Sequence, residues 1–360
     1  MTEPVARRNF REEEVRLAFR NHGMHIEGIR YPVTPVGMHY LLVHFDVPMI
    51  DAADYELPIS GLVRNPSTLT LDDIRELPKV SVPVVMECSG NGRGRLSDPP
   101  ISDPWQEEAV GCAEWTGTPL GSILREVDVL EEAVEILFTG HDRGVDSGVE
   151  YDFARSLPVE EAMNENVLLA YEMNGQPLPP QHGFPLRLLV PEWYGMASVK
   201  WLKSISAIGE PFEGVEQKKY HYKQTEDEPG IPVTRKNPRA LLVPPGVPDS
   251  MSRERYVSVG RHHIEGRAWS GFGPVVSVEF STDGGRTWDD TTLDEPASGY
   301  GWRPWSYVWE VSEPGDYELC ARATDDTGRT QPLDADQLWN VEGYGINSVQ
   351  RVPVSVSGPA

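Results

Sequence analysis

Lysine is scarce in this chain. Only seven of its 32 basic residues are lysine, and they stand against 56 acidic ones for a formal charge of −24 over 360 residues. A surface that negative repels phosphate backbones and anionic headgroups, which argues against nucleic-acid and membrane binding. Cysteine is scarcer still: Cys88, Cys112 and Cys320 cannot build a disulfide framework, since any pairing leaves one over. No stretch approaches the roughly 20 apolar residues of a membrane span, no internal repeat links the two halves, and neither a P-loop nor an HExxH motif occurs. Arg7 and Arg8 are followed by Glu12–Glu14 rather than an apolar region, so no secretory or twin-arginine leader is expected and the expected compartment is the cytoplasm.

What is abundant are turn formers and large aromatics: 33 glycines, 32 prolines and ten tryptophans, a composition of short strands and turns rather than helical bundles. Glu12–Asn21 reads as a short helix, and Tyr40–Phe45 and Leu57–Leu62 as extended runs. Thr70 caps a short helix to Leu77. Val80–Glu87 is a strand that delivers Cys88 into the glycine-rich loop Ser89–Gly94. Thr118–Glu126 reads as a helix, and Ala133–Thr139, Val167–Met173, Leu186–Val190 and Val199–Ile208 as strands, giving an α+β first region. After Gly209 the prolines at 211, 229, 232, 238, 244, 245 and 248 mark a linker or surface-wrapping segment. Beyond Met251 the pattern is all β and fits an Ig-like sandwich of about 100 residues. The expected division is 1–245 and 246–360.

Few motifs carry chemistry. Gly90 and Gly92 begin a dinucleotide fingerprint that fails at Arg95. His22 with His25, and His262 with His263, lack the further ligands of a metal site. Ser281–Trp288 resembles an Asp-box, but a single copy reads as a hairpin turn at Asp283–Gly284. Cys88 says more. Gly90, Gly92 and Gly94 would let backbone approach a bulky group, while Arg93 and Arg95 would favour a thiolate, a soft metal ligand. Taken alone, Cys88 reads equally well as a buried, inert thiol.

Val84–Arg93 (VVMECSGNGR), Ala113–Leu120, Leu168–Val190, Tyr194–Leu202, Gly266–Gly271 and Trp339–Gly343 occur in one order along the chain. Together they resemble the sulfite oxidase family of molybdenum-cofactor enzymes almost end to end. The resemblance implies a molybdopterin-binding α+β domain followed by an Ig-like dimerisation domain, hence a homodimer. It makes Cys88 the protein ligand to molybdenum, and it places His44, Asp142, His182, Arg187, Ser198, Val199 and Lys200 around the pterin, with Arg187 and Lys200 on its phosphate. Arg93 would hold the substrate oxyanion and Trp105 would wall its pocket. Tyr220 would be the pocket tyrosine, with Tyr222 as competitor.

Two positions depart from the family pattern. Leu42 and Glu342 stand where it has substrate-binding arginines, and Arg20, in the tempting Phe19–His22 (FRNH), lies on a preceding extension. The expected reaction is two-electron oxygen-atom transfer from water to sulfite, yielding sulfate. With no haem-attachment motif, the electrons go to a separate acceptor protein. The alternatives are a same-fold enzyme reducing a sulfoxide or other S- or N-oxide, which Leu42 and Glu342 favour, and a cofactor-free Ig-like binding protein.

Overall fold

The computed structural model describes residues 11–358, so the segment around Arg7 and Arg8 lies outside the described residues. Helix Glu12–Ala18 is shorter than expected. Past it the chain folds back: the buried Asn21 amide donates to Asp103 at 3.0 Å and accepts from the Val43 N–H at 2.8 Å, and His22 bridges Leu41. That bridge is all the regular pairing that Tyr40–Phe45 makes, because these residues line a cavity instead of a sheet edge.

Two sheets build the first domain. One runs in the order Ser67–Thr70, Glu56–Gly61, Leu202–Ile208, Glu135–Asp146, Val149–Pro158. Its pairings are antiparallel except that Glu56–Gly61 lies parallel to Leu202–Ile208, with Ile59 opposite Ile205. The other is antiparallel and holds Val80–Glu87, Val110–Pro119, Leu168–Met173 and Arg187–Leu189. Leu57, Ile59, Ile74, Phe138, Leu188 and Ile205 are fully buried in the main core of this domain, each burial stabilising by roughly 1.5–3 kcal/mol. Thr70 caps helix Leu71–Glu76 as expected, in a capping box with Asp73.

The C-terminal region is a sandwich. One sheet carries Arg239–Leu242, Gly260–Trp269 and Arg303–Val311; the other carries Arg255–Ser258, Gln350–Ser357, Gly315–Asp325 and Val275–Ser281. Leu242, Ile264, Phe280, Trp305 and Leu319 fill the space between them. Arg239–Leu242 pairs with Gly266–Trp269, so by strand pairing this body begins before the expected boundary at 245. The proline-rich stretch also differs from expectation. Helix Val215–Lys219 and Tyr220 lie within it, and Glu216, Lys219 and Tyr220 line a cavity, so it is more than a linker.

The two bodies are tied together at the cysteine strand. Val85 N–H donates to the Tyr300 carbonyl at 2.9 Å. Glu87, fully buried, pairs with Arg239 at 2.9 Å and accepts from Trp269 Nε1 at 2.8 Å. Both partners come from the sandwich.

Candidate active site

Strand Val80–Glu87 sinks from an exposed start to a buried end, and Cys88 follows at the wall shared by two adjoining cavities. The loop after it is fixed by its own backbone: Cys88 N–H donates to Ala109 O at 2.9 Å, Asn91 N–H to Cys88 O at 3.0 Å, and Gly90 N–H to the Cys88 sulfur at 3.4 Å. Asn91 is held by Glu87 and in turn accepts from Ala109 N–H.

The glycines here serve the chain itself. A side chain on Gly90 would press on the Arg93 guanidinium, one on Gly92 would strike the Ile346 carbonyl, and one on Gly94 the Pro104 carbonyl. Each of the three is therefore required by the packing of the loop itself. Arg95 turns away to pair with Glu107 at 2.5 Å. Burial pushes the Cys88 thiol up to about 11, with Arg93 opposing. The expected lowering by two arginines is therefore not what the free protein has; a bound metal would itself deprotonate the thiol.

The inner cavity is lined by His39, His44, Asp142, His182, Arg187, Ser198 and Lys200 together with Cys88. Arg187 is buried over the Trp115 ring at 4.9 Å and donates to the carbonyls of His182 and Ser198 at 2.9 and 3.0 Å. Lys200 donates to Leu42 O at 2.8 Å and Gln181 O at 3.3 Å. Burial with Arg187 nearby lowers its ammonium to about 7, against the pull of Asp142. Asp142 is pushed up to about 6 by burial. Burial also holds three histidines neutral: His39 at about 4, His44 at about 3 and His182 at about 2. Two buried polar atoms here, His39 Nε2 and Asp142 Oδ1, have no partner among the described residues.

The outer cavity adjoins it at Cys88 and takes in Arg20, Leu42, Arg93, Asp103, Trp105, Glu216, Lys219, Tyr220, Glu342 and Tyr344. Arg93 is buried, makes no ion pair among the described residues, and lies over the Tyr344 ring at 5.4 Å. Trp105 Nε1 has no partner among the described residues. Tyr220 shares a 3.0 Å hydrogen bond with His44 Nε2.

Two family profiles match this chain: one described as an oxidoreductase molybdopterin binding domain over residues 44–216, the other as a Mo-co oxidoreductase dimerisation domain over 247–357. Mitochondrial sulfite oxidase of Drosophila melanogaster is 33% identical over 351 residues, covering 90% of this chain and 59% of the fly protein. The mouse enzyme (Mus musculus) is 32% identical over 348 residues, covering 90% and 62%. The chain belongs to the sulfite oxidase family of molybdopterin oxidoreductases. Nitrate reductase [NADH] of Solanum lycopersicum is 31% identical over 360 residues, covering 91% of this chain and 39% of its own. The chain thus spans only 59–62% of the length of these two sulfite oxidases. In fold it matches the sulfane dehydrogenase SoxCD of Paracoccus pantotrophus, with a TM-score of 0.79 at 24% identity over 98% of this chain and 91% of that one.

The residues present fit the family's molybdenum cofactor. The inner cavity offers two orphaned buried polar atoms for a hydrogen-bonding heterocycle, a buried arginine and lysine for a phosphate, and a soft thiol at its open wall. Among the described residues no group of three or more His, Cys, Asp or Glu could hold a metal ion by itself.

Of the residues expected at the site, Cys88, His44, Asp142, His182, Arg187, Ser198, Lys200 and Tyr220 come together in the inner cavity, and Arg93 and Trp105 in the outer one. Val199 does not: its side chain sits in the hydrophobic core, and its N–H and carbonyl are engaged by Ala197 and Leu188. Tyr222 lines neither cavity and packs against Gly345, so of the two candidates the structure brings Tyr220 to the site. Arg20 and Glu342 both face the outer cavity. Sequence reasoning missed His39, Asp103, Glu216 and Tyr344, which carry no motif; Tyr344 lies one residue past a matched signature.

Proposed function

We propose that this oxidoreductase oxidises sulfite: sulfite and water become sulfate, two protons and two electrons, the electrons leaving to a separate acceptor protein. The observation that carries the reading is the position of Cys88 between a cavity suited to a phosphate-bearing pterin and one holding an unpaired arginine. When bound, the molybdenum cofactor supplies two-electron oxygen-atom transfer.

The chain's own residues bind and orient. Cys88 would hold molybdenum as thiolate. Asp142 and His39 would meet the pterin's polar edge, with His44, His182 and Ser198 around it. Arg187 and Lys200 would neutralise its phosphate, and an arriving anion would restore the charge that burial draws from Lys200. On the substrate side, Arg93 would hold an oxyanion in a desolvated setting where one guanidinium counts for more than in water. Trp105 walls the pocket, and Tyr220 with His44 offers a hydrogen-bonded relay at its edge. Arg20, facing the same space, adds positive charge where Leu42 has none.

Dimerisation through residues 247–357 belongs to the same proposal, as does a cytoplasmic home, which three unpaired cysteines suit. No helix among the described residues is long and apolar enough to cross a membrane.

Glu342 favours a second reading. It is half-buried in the outer cavity with no hydrogen bond or ion pair among the described residues, and a free carboxylate there disfavours a dianion. Reduction of an uncharged sulfoxide or other S- or N-oxide suits it better. Assays of molybdenum-loaded protein with sulfite plus ferricyanide, and with a dialkyl sulfoxide plus a reduced dye, separate the two. Sulfite turnover is expected; turnover of the sulfoxide alone would replace the first reading with the second.

A further inference from the structure

Tyr220 and Tyr344 stack with ring centroids 5.0 Å apart and planes 29° from parallel. Each outer face of the pair is covered by a guanidinium: Arg155 lies 5.2 Å from the Tyr220 centroid and Arg93 5.4 Å from that of Tyr344. The four side chains form one column, in which each ring presents its electron-rich face to a cation. Arg155 anchors its end by donating to the Glu216 carbonyl at 2.6 Å.

Tyr344 is also held through its backbone. Asn340 accepts from its N–H at 3.0 Å and donates to its carbonyl at 2.8 Å. The neighbouring Gly345 N–H donates to Ser89 O at 2.7 Å, tying this turn of the C-terminal body directly to the cysteine loop. Gly343, at φ +62°, leaves room for Arg93, whose Cβ would otherwise meet a side chain at 3.1 Å. The ring therefore has little freedom relative to Cys88.

The two hydroxyls differ. That of Tyr220 is shared with His44. That of Tyr344 makes no hydrogen bond among the described residues and is left accessible, although the residue as a whole is only 4% exposed and lines the outer cavity with Arg93 and Cys88. An unused donor fixed in a cavity beside the Arg93 guanidinium is arranged for a ligand oxygen. Burial and the nearby Glu342 raise the phenol well above its usual range, so it remains a donor at every working pH.

We propose that Tyr344 is the specificity-determining residue of the outer cavity, its hydroxyl holding a substrate oxygen alongside the Arg93 guanidinium. This rests on the reading of that cavity as the substrate's side of Cys88. It adds a neutral donor to the cationic groups, Arg93 and Arg20, that face the same cavity.

Tyr344→Phe tests it, because phenylalanine keeps the ring and the column and removes only the hydroxyl. Molybdenum and pterin content and the thermal midpoint should match wild type. Sulfate, a product that occupies the site without turnover, should bind the loaded variant about 10–100-fold more weakly by calorimetry, the loss expected for a hydrogen bond to a charged oxygen. Equal sulfate affinity in variant and wild type would overturn the proposal, as would a loaded wild type that binds no sulfate. The kinetics keep this outcome apart from that of the proposed reaction. If loaded wild type oxidises sulfite and Tyr344→Phe does so within twofold in kcat/KM, the assignment to Tyr344 fails alone. If wild type instead reduces a sulfoxide and the variant loses at least tenfold there, the role of Tyr344 stands and the sulfite reading falls.

Discussion

Gly92 sits at φ +95°, in the left-handed region, and any side chain there would collide with the Ile346 carbonyl oxygen. Gly92→Ala therefore meets backbone strain and a backbone clash together, and should cost about 3 kcal/mol or more in chemical denaturation. It should also lower molybdenum content, since the loop it closes begins at Cys88. The buried histidines make a prediction of known sign. His39, His44 and His182 are held neutral with folded values of about 4, 3 and 2, below the ordinary value near 6.5. Below that value the unfolded chain binds protons the folded chain refuses. Their contribution is complete above about pH 6.5 and is lost as pH falls towards their folded values, each group at up to ~1.4 kcal/mol per pH unit. Urea unfolding of cofactor-free protein between pH 7 and 4.5 should show this slope, and His39→Gln should flatten it. Little at this scale could be read from the chain alone. Cys88 stood out by its loop, whereas His39 and Tyr344 have ordinary sequence neighbours and gain their meaning from what folds against them.

At the scale of elements, the strand ending at Glu87 is the member on which the site depends. Its far end is gripped by the sandwich: Glu87 pairs with Arg239 at 2.9 Å, both almost completely buried, and Trp269 donates to the same carboxylate. Arg239→Met leaves that carboxylate buried without its cation and should cost about 3–5 kcal/mol by denaturant unfolding. The double variant Glu87→Gln with Arg239→Met should recover much of the loss; equal destabilisation of single and double variants would deny the pair its role. Val80–Glu87 was legible to the residue because a β-branched run ends abruptly in charge and cysteine. Val110–Pro119 was not. It is buried on both faces, so it shows no alternation, and Gly111 and Gly117 interrupt it. Val149–Pro158 was hidden for the opposite reason: its first half is exposed or half-buried, with Glu150 and Asp152 interleaved among Val149 and Tyr151. Tyr40–Phe45 reads as a strand by composition, but its apolar residues face a cavity.

For the whole molecule, the charge of −24 sets a problem that the fold solves locally. An acidic protein that binds a phosphate-bearing pterin must concentrate its few cations, and Arg187 and Lys200 line the inner cavity while Arg20 and Arg93 face the outer one. The remaining excess of carboxylates repels itself across the surface. Salt should therefore stabilise the protein: raising sodium chloride from roughly 0.05 to 1 M shortens the screening length to about 3 Å and should raise the thermal midpoint by several degrees. An unchanged or lowered midpoint would show that surface repulsion is not a significant cost. The most direct measurement concerns the atom on which the account turns. X-ray absorption at the molybdenum edge, on loaded wild type and Cys88→Ser, counts the sulfur neighbours of the metal. One sulfur fewer in the variant is the predicted result; the same sulfur count in both would contradict Cys88 as the ligand.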